Sequence, residues 1–359
     1  MMKHSTRLLT ALTLGVLLLF LSSCQREPPK TQGEVKDEGA LRIYAFDVGQ
    51  GDGLLVISPG GKHVLIDAGP SEAEHELVAS LKKLGIKDLD LVVATHPHAD
   101  HIGGMRWVLD NFPVKKFLDS GQTYSSVTYE KMLQEIKAKR IGFIEAQKGQ
   151  NLELDSGVKF EVINPSRPLI THVRSGGSIQ NANSVVMRLS YGDFAMLFTG
   201  DAEFETEDRL MEAGSTLTAT VLKVGHHGSR HATSLEFLNR VHPQAAVISA
   251  GANNDYGHPS QETLDRFRQD KIEVWRTDLH GELMILSDGK KYEIRSARQP
   301  APAEVWQGRE PSHAELRMNP ESKPTTSGQA AVRYGERERP GAGESGSFRR
   351  HQVAPAQWH

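Results

Sequence analysis

Residues 95–104 read THPHADHIGG, so His96, His98, Asp100 and His101 place three imidazoles and a carboxylate within six positions. Imidazole suits borderline divalent metals such as zinc, whereas carboxylate suits harder ions such as manganese. In a loop, histidines at i and i+2 can turn toward one ion. An aspartate at i+4 and a histidine at i+5 can then reach a second ion beside it. Two ions about 3.5–4 Å apart make a clamp for hydrolytic displacement. Pro97 keeps the stretch out of a helix, and Gly103 and Gly104 allow close backbone approach after it. A polar loop with incidental histidines is a poor account of four such groups at the mouth of an apolar strand.

The flanking sequence must hold that loop still. LRIYAFDVGQGDGLLVIS alternates apolar residues around a GQGDG turn and predicts a hairpin, with strands at 41–47 and 53–58. KHVLIDAG predicts a third strand. EAEHELVASLKKLG puts Leu77, Val78, Leu81 and Leu84 on one helical face and stops at Gly85. LDLVVAT is a continuous apolar run of the kind a buried strand shows, and a helix is expected from Ile102 to Leu109. Further along, GVKFEVINP, SVVMRLSYG and DFAMLFTGD predict strands, the last two paired as a hairpin at Tyr191-Gly192-Asp193. Helices at ETEDRLMEAG, SLEFLNRVHP and QETLDRFRQD alternate with strands at ATVLKVGHHGS, AAVISAG and IEVWRT, and LMILSDGKKYEI closes as a hairpin. Two β-rich halves, each ending in helical crossovers, predict a four-layer αββα sandwich in a single α/β domain.

The ends have a different character. Lys3 and Arg7 precede an apolar run from Leu8 to Leu21, which is short of the ~20 residues a spanning helix needs. The run ends in Leu21-Ser22-Ser23-Cys24, which resembles the bacterial lipoprotein box. The expectation is a signal peptide over 1–23, lipidation of Cys24, and export to the bacterial envelope with a lipid anchor in the membrane. Cys24 is the only cysteine, which excludes an internal disulfide framework and a cysteine-based zinc site. Residues 24–40 read as a flexible tether and 298–359 as a disordered tail, leaving 41–297 as the folded domain. The net charge of −3 carries no global basic excess, so composition gives no support to a nucleic-acid substrate. The pairs Lys82-Lys83 and Lys115-Lys116 read as solvated helix or loop faces.

HPHADH resembles the HxHxDH signature of the metallo-β-lactamase fold superfamily. The chain is more closely similar to the metallo-β-lactamase-like domain of ComEC/Rec2-type competence proteins, in a stand-alone lipoprotein form. FDVGQGDG (46–53), VLIDAG (64–69), NANSVVMRLSYGDFAMLFTGD (181–201), VLKVGHHGS (221–229), ISAGANNDYGHPS (248–260) and RTDLHGE (276–282) carry the likeness. The resemblance implies two divalent metal ions, zinc or manganese. His96 and His98 would bind the first, Asp100 and His101 the second, and Asp201 would bridge them. One of His226 and His227 would complete the second ion, and the other would serve the substrate. Asp67 would orient a ligating imidazole. Asn183 stands where the superfamily usually supplies another histidine, so a weak amide ligand is expected there, with His172 as the alternative. Asp47 and Asp52 flank the GQGDG turn, either shaping the pocket or forming the turn. His258 either contacts substrate or caps the following helix. His63, His75 and His242 read as surface positions.

The function implied is a metal-dependent hydrolase using a metal-bound hydroxide, with Asp100 and the His226–His227 pair handling protons. A phosphodiester substrate, including DNA or RNA, is the expectation. The alternatives are a hydrolase of lactones, lactams or thioesters, and a non-catalytic metal-stabilised binding module at the cell surface.

Overall fold

The computed structural model describes residues 33–312, apart from Ser156 and residues 174–176. Cys24, the expected signal peptide and the tail beyond residue 312 lie outside the described residues. Among those described, no helix is long and apolar enough to cross a membrane.

The strands in chain order are β1 (Leu41–Ala45), β2 (Leu54–Ile57), β3 (His63–Ile66), β4 (Leu89–Ala94), β5 (Val114–Asp119), β6 (Gly142–Glu145), β7 (Asn151–Asp155), β8 (Val158–Asn164), β9 (Val186–Tyr191), β10 (Phe194–Phe198), β11 (Val221–Lys223), β12 (Ala245–Ile248), β13 (Glu273–Arg276), β14 (Leu283–Ser287) and β15 (Tyr292–Ser296). One sheet has the order β15-β14-β1-β2-β3-β4-β5-β6 and the other β13-β12-β11-β10-β9-β8-β7. Period-two alternation divides each strand between two cores. In β4, Leu91 and Val93 face the partner sheet, where they join Phe160, Met187 and Phe198. Val92 and Ala94 face the helices Glu74–Lys83, Met105–Asn111 and Val127–Ala138. A strand buried on both faces reads as an unbroken apolar run, as LDLVVA does. Helices Phe204–Glu212, Leu235–Val241 and Gln261–Gln269 cover the outer face of the second sheet through Leu210, Phe237, Leu264 and Phe267. The layers are therefore αββα, as the sequence predicts.

Parallel pairing sets where chemistry can happen. β3 to β6 run parallel to one another, and so do β10 to β13. Their carboxyl ends therefore lie at one end of the sandwich, where open α/β sheets place ligands. Asp67 follows β3, Thr95 and His96 follow β4, Asp201 follows β10, the His226–His227 pair follows β11, and Ser249 follows β12.

Several expectations change. The helix expected over Ile102–Leu109 is two helices, Ala99–Ile102 and Met105–Asn111, separated by Gly103-Gly104. A Cβ on Gly103 would lie 2.4 Å from the Ser71 amide, so the break is also a packing contact. Lys115 and Lys116 lie on strand β5 rather than on a helix or loop, and Lys115 pairs with Asp88 and Asp90. The β14–β15 hairpin joins the first sheet beside β1, with Leu41 opposite Ser287, although 230 to 250 positions separate them in the chain. Contacts extend past both expected boundaries. Val35 and Ala40 bury against Leu286, and the Val35 amide donates to Glu293, while residues 36–39 between them are exposed. At the other end, residues 298–312 hold to the domain. Arg298 pairs with Asp47, Arg309 with Asp278, and Tyr256 bridges to Pro311.

Candidate metal centre

The loop after β4 turns its side chains inward because its backbone is clasped on both sides. The Asp67 carboxylate accepts from the Thr95 amide at 2.8 Å and from the Thr95 hydroxyl at 2.7 Å. The same carboxylate lies 2.7 Å from His101 Nδ1, which turns His101 Nε2 away toward the cleft floor. The GQGDG loop presses from the other side, since the Asp52 amide donates to the Asp100 carbonyl. Gly51 makes that approach possible: at φ +144°, a Cβ there would sit 2.1 Å from the Asp100 oxygen.

Two donor groups result. In the first, Asp100, His101, Asp201 and His227 converge. His101 Nε2 lies 3.3 Å from His227 Nε2 and 3.2 Å from Asp201 Oδ1. His227 Nε2 lies 3.2 Å from Asp100 Oδ2 and 3.5 Å from Asp201 Oδ1. His101 Nε2 and Asp100 Oδ2 are 3.7 Å apart. A tetrahedral ion with ligand bonds of about 2.0–2.1 Å needs donor-to-donor edges of about 3.3 Å. These separations fit such an ion. Asp201 Oδ1 is buried and makes no hydrogen bond, which a cation would redress.

In the second group, His96 Nε2 stands 3.1 Å from His98 Nδ1 and 3.7 Å from Asp201 Oδ2. Asp201 thus offers one oxygen to each group, as the bridging role requires. It does not cap the next helix, where Glu203 holds the N-cap position. Ser178 Oγ lies 3.5 Å from His98 Nε2.

The charges are consistent with cation binding. Burial would raise the Asp201 carboxyl, but His101, His227 and His226 outweigh it and hold it well below the usual carboxylate range. Burial, reinforced by neighbouring His101, pushes His96 well below the ordinary imidazole value, leaving it neutral with a lone pair to give. For His101, burial acts downward, but Asp201, Asp100 and Asp67 together hold the proton on firmly. A cation takes that proton's place when such a ligand binds metal.

The structure separates the two adjacent histidines. His227 is 1% exposed and donates through Nδ1 to the Ser249 carbonyl at 3.0 Å, which points Nε2 at the first donor group. His226 has 26% of its side chain exposed and lines the cleft. Its Nδ1 lies 3.0 Å from Glu203 Oε1, and its Nε2 lies 3.8 Å from Asp201 Oδ2. Both residues hold left-handed backbone, with φ 44° and 53°, and Asp67 holds φ 58°. Non-glycine residues in this region are uncommon, and they cluster where a site over-determines the chain.

Asn183 does not join the centre. Its amide is fully engaged with the backbone of Ile170 and Ile179, so it pins a loop. The turn Ile179–Ala182 brings Asn181 to the cleft instead. Asn181 Nδ2 donates to Glu203 at 3.1 Å and its Oδ1 is buried without a partner. His172 is exposed, bonds Thr171, and lies in a separate surface groove. Asp47 pairs with Arg298. Asp52 is buried against Lys223 beneath the centre. His258 lines the cleft with its ring 5.2 Å from that of His226, and Ser260, not His258, caps the following helix. Sequence reasoning missed Asn181, Ser178, Glu203 and Lys223. A lysine inside the apolar run VLKV was the one available signal. The cleft above the centre has a volume of about 1310 Å³ and is flanked by Gln50, Ser71, Arg230 and Tyr256.

Known proteins show the same arrangement of sequence. The metallo-beta-lactamase superfamily matches residues 47–252. The chain belongs to this superfamily. It is 32% identical over 283 residues to ComE operon protein 3 of Bacillus subtilis (strain 168), covering 74% of this chain and 34% of that protein. It is 33% identical over 257 residues to competence protein ComA of Neisseria gonorrhoeae, covering 70% of this chain and 33% of that protein. The chain therefore spans about a third of the length of these relatives. Among solved structures, the metallo hydrolase Igni18 from Ignicoccus hospitalis KIN4/I is 17% identical, with a TM-score of 0.42, covering 68% of this chain and 98% of that one. The superfamily membership and the donor set together make this a metal-dependent hydrolase of ComEC-type ancestry.

Proposed function

We propose that this hydrolase cleaves phosphodiesters at a two-ion centre, from a position on the cell envelope. The observation that carries the reading is the split of Asp201, with Oδ1 toward His101 and His227 and Oδ2 toward His96. His96, His98 and Asp201 would hold one ion, and Asp100, His101, Asp201 and His227 the other. When bound, the ions would supply Lewis acidity toward the phosphoryl oxygens and an acidified water nucleophile.

The chain's own residues do the rest. Asp67 and the Ser249 carbonyl hold the Nδ1 protons of His101 and His227, so both Nε2 atoms face inward. His226 stands over the centre at the cleft wall. Burial acts to lower its pKa, but Asp201 and Glu203 prevail and keep it above the ordinary value. A protonated His226 Nε2 can give its proton to a departing alkoxide, and Glu203 steadies the other ring nitrogen. Asn181 fixes Glu203. A diester with a poor alkoxide leaving group uses such a proton donor more than a strained lactam does. The envelope location rests on the Leu21-Ser22-Ser23-Cys24 sequence after an apolar run.

The test is hydrolysis of bis-p-nitrophenyl phosphate by the full chain, stripped of metal and refilled with manganese or zinc, beside Asp201→Ala. Metal-dependent turnover lost in the variant supports the reading. Bound metal without turnover transfers it to carboxylic substrates or to the metal-stabilised binding module, and absence of metal binding overturns it. Membrane-fraction analysis of wild type and Cys24→Ala tests the location.

A further inference from the structure

Below the centre lies a charge pair that neither donor group includes. Lys223, at the end of β11 in the second sheet, is completely buried, and its Nζ lies 2.7 Å from Asp52 Oδ2. The Nζ also donates to the Val224 carbonyl at 3.0 Å. Asp52 belongs to the β1–β2 loop of the first sheet and is 1% exposed. Its backbone is clasped to the metal loop and to the loop that carries Asp67: its amide donates to Asp100, and its carbonyl accepts from Gly69 at 2.7 Å. Its two carboxylate oxygens differ. Oδ2 faces the ammonium, whereas Oδ1 makes no hydrogen bond and stands 3.5 Å from His227 Nδ1.

We infer that the buried Asp52–Lys223 pair is a positioning element for His227, and through it for the ion His227 would bind. His227 Nδ1 faces the Ser249 carbonyl on one side and the Asp52 carboxylate on the other. Neither group can donate a proton, so the ring keeps its proton on Nδ1 and its lone pair on Nε2. Lys223 holds the carboxylate in place and balances it. Without Asp52, the ammonium would be an unbalanced buried cation under a centre built to attract cations. The pair also ties the two sheets together at the point where His227 from one meets Asp100 from the other.

A pair acting only as a strut between sheets makes a different prediction. Two apolar residues of similar size replace a buried ion pair without loss of stability in many proteins. The experiment therefore compares Lys223→Met, Asp52→Asn and the double variant Asp52→Leu/Lys223→Met in the full chain. The readouts are the manganese dissociation constant, by competition with a fluorescent chelator, and the Tm of the metal-free protein. The expected result is manganese binding weakened about tenfold or more in all of them. In the double variant the Tm returns toward wild type while the affinity does not. Wild-type manganese affinity in the double variant overturns the inference, as does wild-type affinity in Asp52→Asn, the variant that best preserves shape should the others fail to fold. The inference rests on the metal-centre reading of the site. A wild-type chain that takes up neither manganese nor zinc removes both, whereas full binding in wild type and variants removes the positioning role alone.

Discussion

Asp67 Oδ2 lies 2.7 Å from His101 Nδ1, with both side chains fully buried. The ring is thereby fixed with Nε2 facing Asp201. Burial alone would raise the Asp67 carboxyl, and burial wins over the opposing pull of His101. The carboxylate nevertheless also accepts two hydrogen bonds from Thr95, so it is anchored from two directions.

Replacing Asp67 with Asn tests that anchoring. Asn tolerates the left-handed backbone at this position better than other residues, so the fold is expected to survive. One amide oxygen cannot serve Thr95 and His101 as two carboxylate oxygens do. Manganese affinity is expected to fall by about 10–100-fold, measured by chelator competition. An unchanged affinity would mean that packing alone orients His101.

Asp201 and His96 separate the two donor groups. Elemental analysis after desalting is expected to show Asp201→Asn depleted of essentially all metal, because both groups share that carboxylate. His96→Ala is expected to keep the ion held by Asp100, His101 and His227. For Asp201→Asn, kcat/KM is expected to drop more than about a hundredfold, beyond the effect of an outer hydrogen-bond partner. Equal metal loss in both variants would contradict the split.

His226→Gln distinguishes proton donation from ion binding. A nitrophenolate leaves without a proton, whereas the 3′-alkoxide of a dinucleotide needs one. The variant is expected to lose about 100-fold or more in kcat on the dinucleotide, while changing less than about fivefold on bis-p-nitrophenyl phosphate. The same loss on both substrates, with metal lost as well, would make His226 a ligand.

Asp119 gives a pH dependence of stability distinct from the centre. Its Oδ1 accepts from Gly121 and Tyr129, its Oδ2 is buried without a partner, and burial pushes its carboxyl up to about 6. The unfolded value is about 3.9, so the folded state favours the protonated form. That contribution is complete below about pH 4 and is lost as pH rises through about 6. Asp119→Asn keeps the Oδ1 acceptor and cannot ionise. Thermal melts of the metal-free protein are expected to show it about 1 kcal/mol more stable than wild type at pH 8, with the gain gone at pH 4.5. A gain independent of pH would assign the effect to packing.

The layers and the metal loop were legible in the sequence because each rests on local pattern. The apolar runs VLI, AMLF and LDLVVA and the spacing of His96, His98, Asp100 and His101 are read within a few residues. The rest depended on turns and on distant pairing. Asn181 and Asn183 are two positions apart in NANS, and only the helical turn Ile179–Ala182 decides that Asn181 faces the cleft and Asn183 the backbone of Ile170. His226 and His227 are neighbours of identical type, separated by left-handed backbone that no composition announces. Lys223 looks like a misplaced charge until Asp52 meets it from the other sheet. Residues 298–312 have the composition of a solvated tail, yet Arg298 pairs with Asp47 at the surface and Arg309 with the buried Asp278.

The placement of β1 and β15 in the first sheet has a practical consequence. β1 runs from Leu41 to Ala45 into the loop that touches Asp100, so the chain enters the sheet at the end remote from the cleft. β15 runs the other way relative to β14 and ends at Ser296 opposite Leu283, beside Ala45. The chain therefore leaves on the cleft side, and by Pro311 it has reached Tyr256 on the cleft rim. A label or linker placed at Val35 therefore stands away from the cleft mouth, whereas one placed at Pro311 stands at its rim.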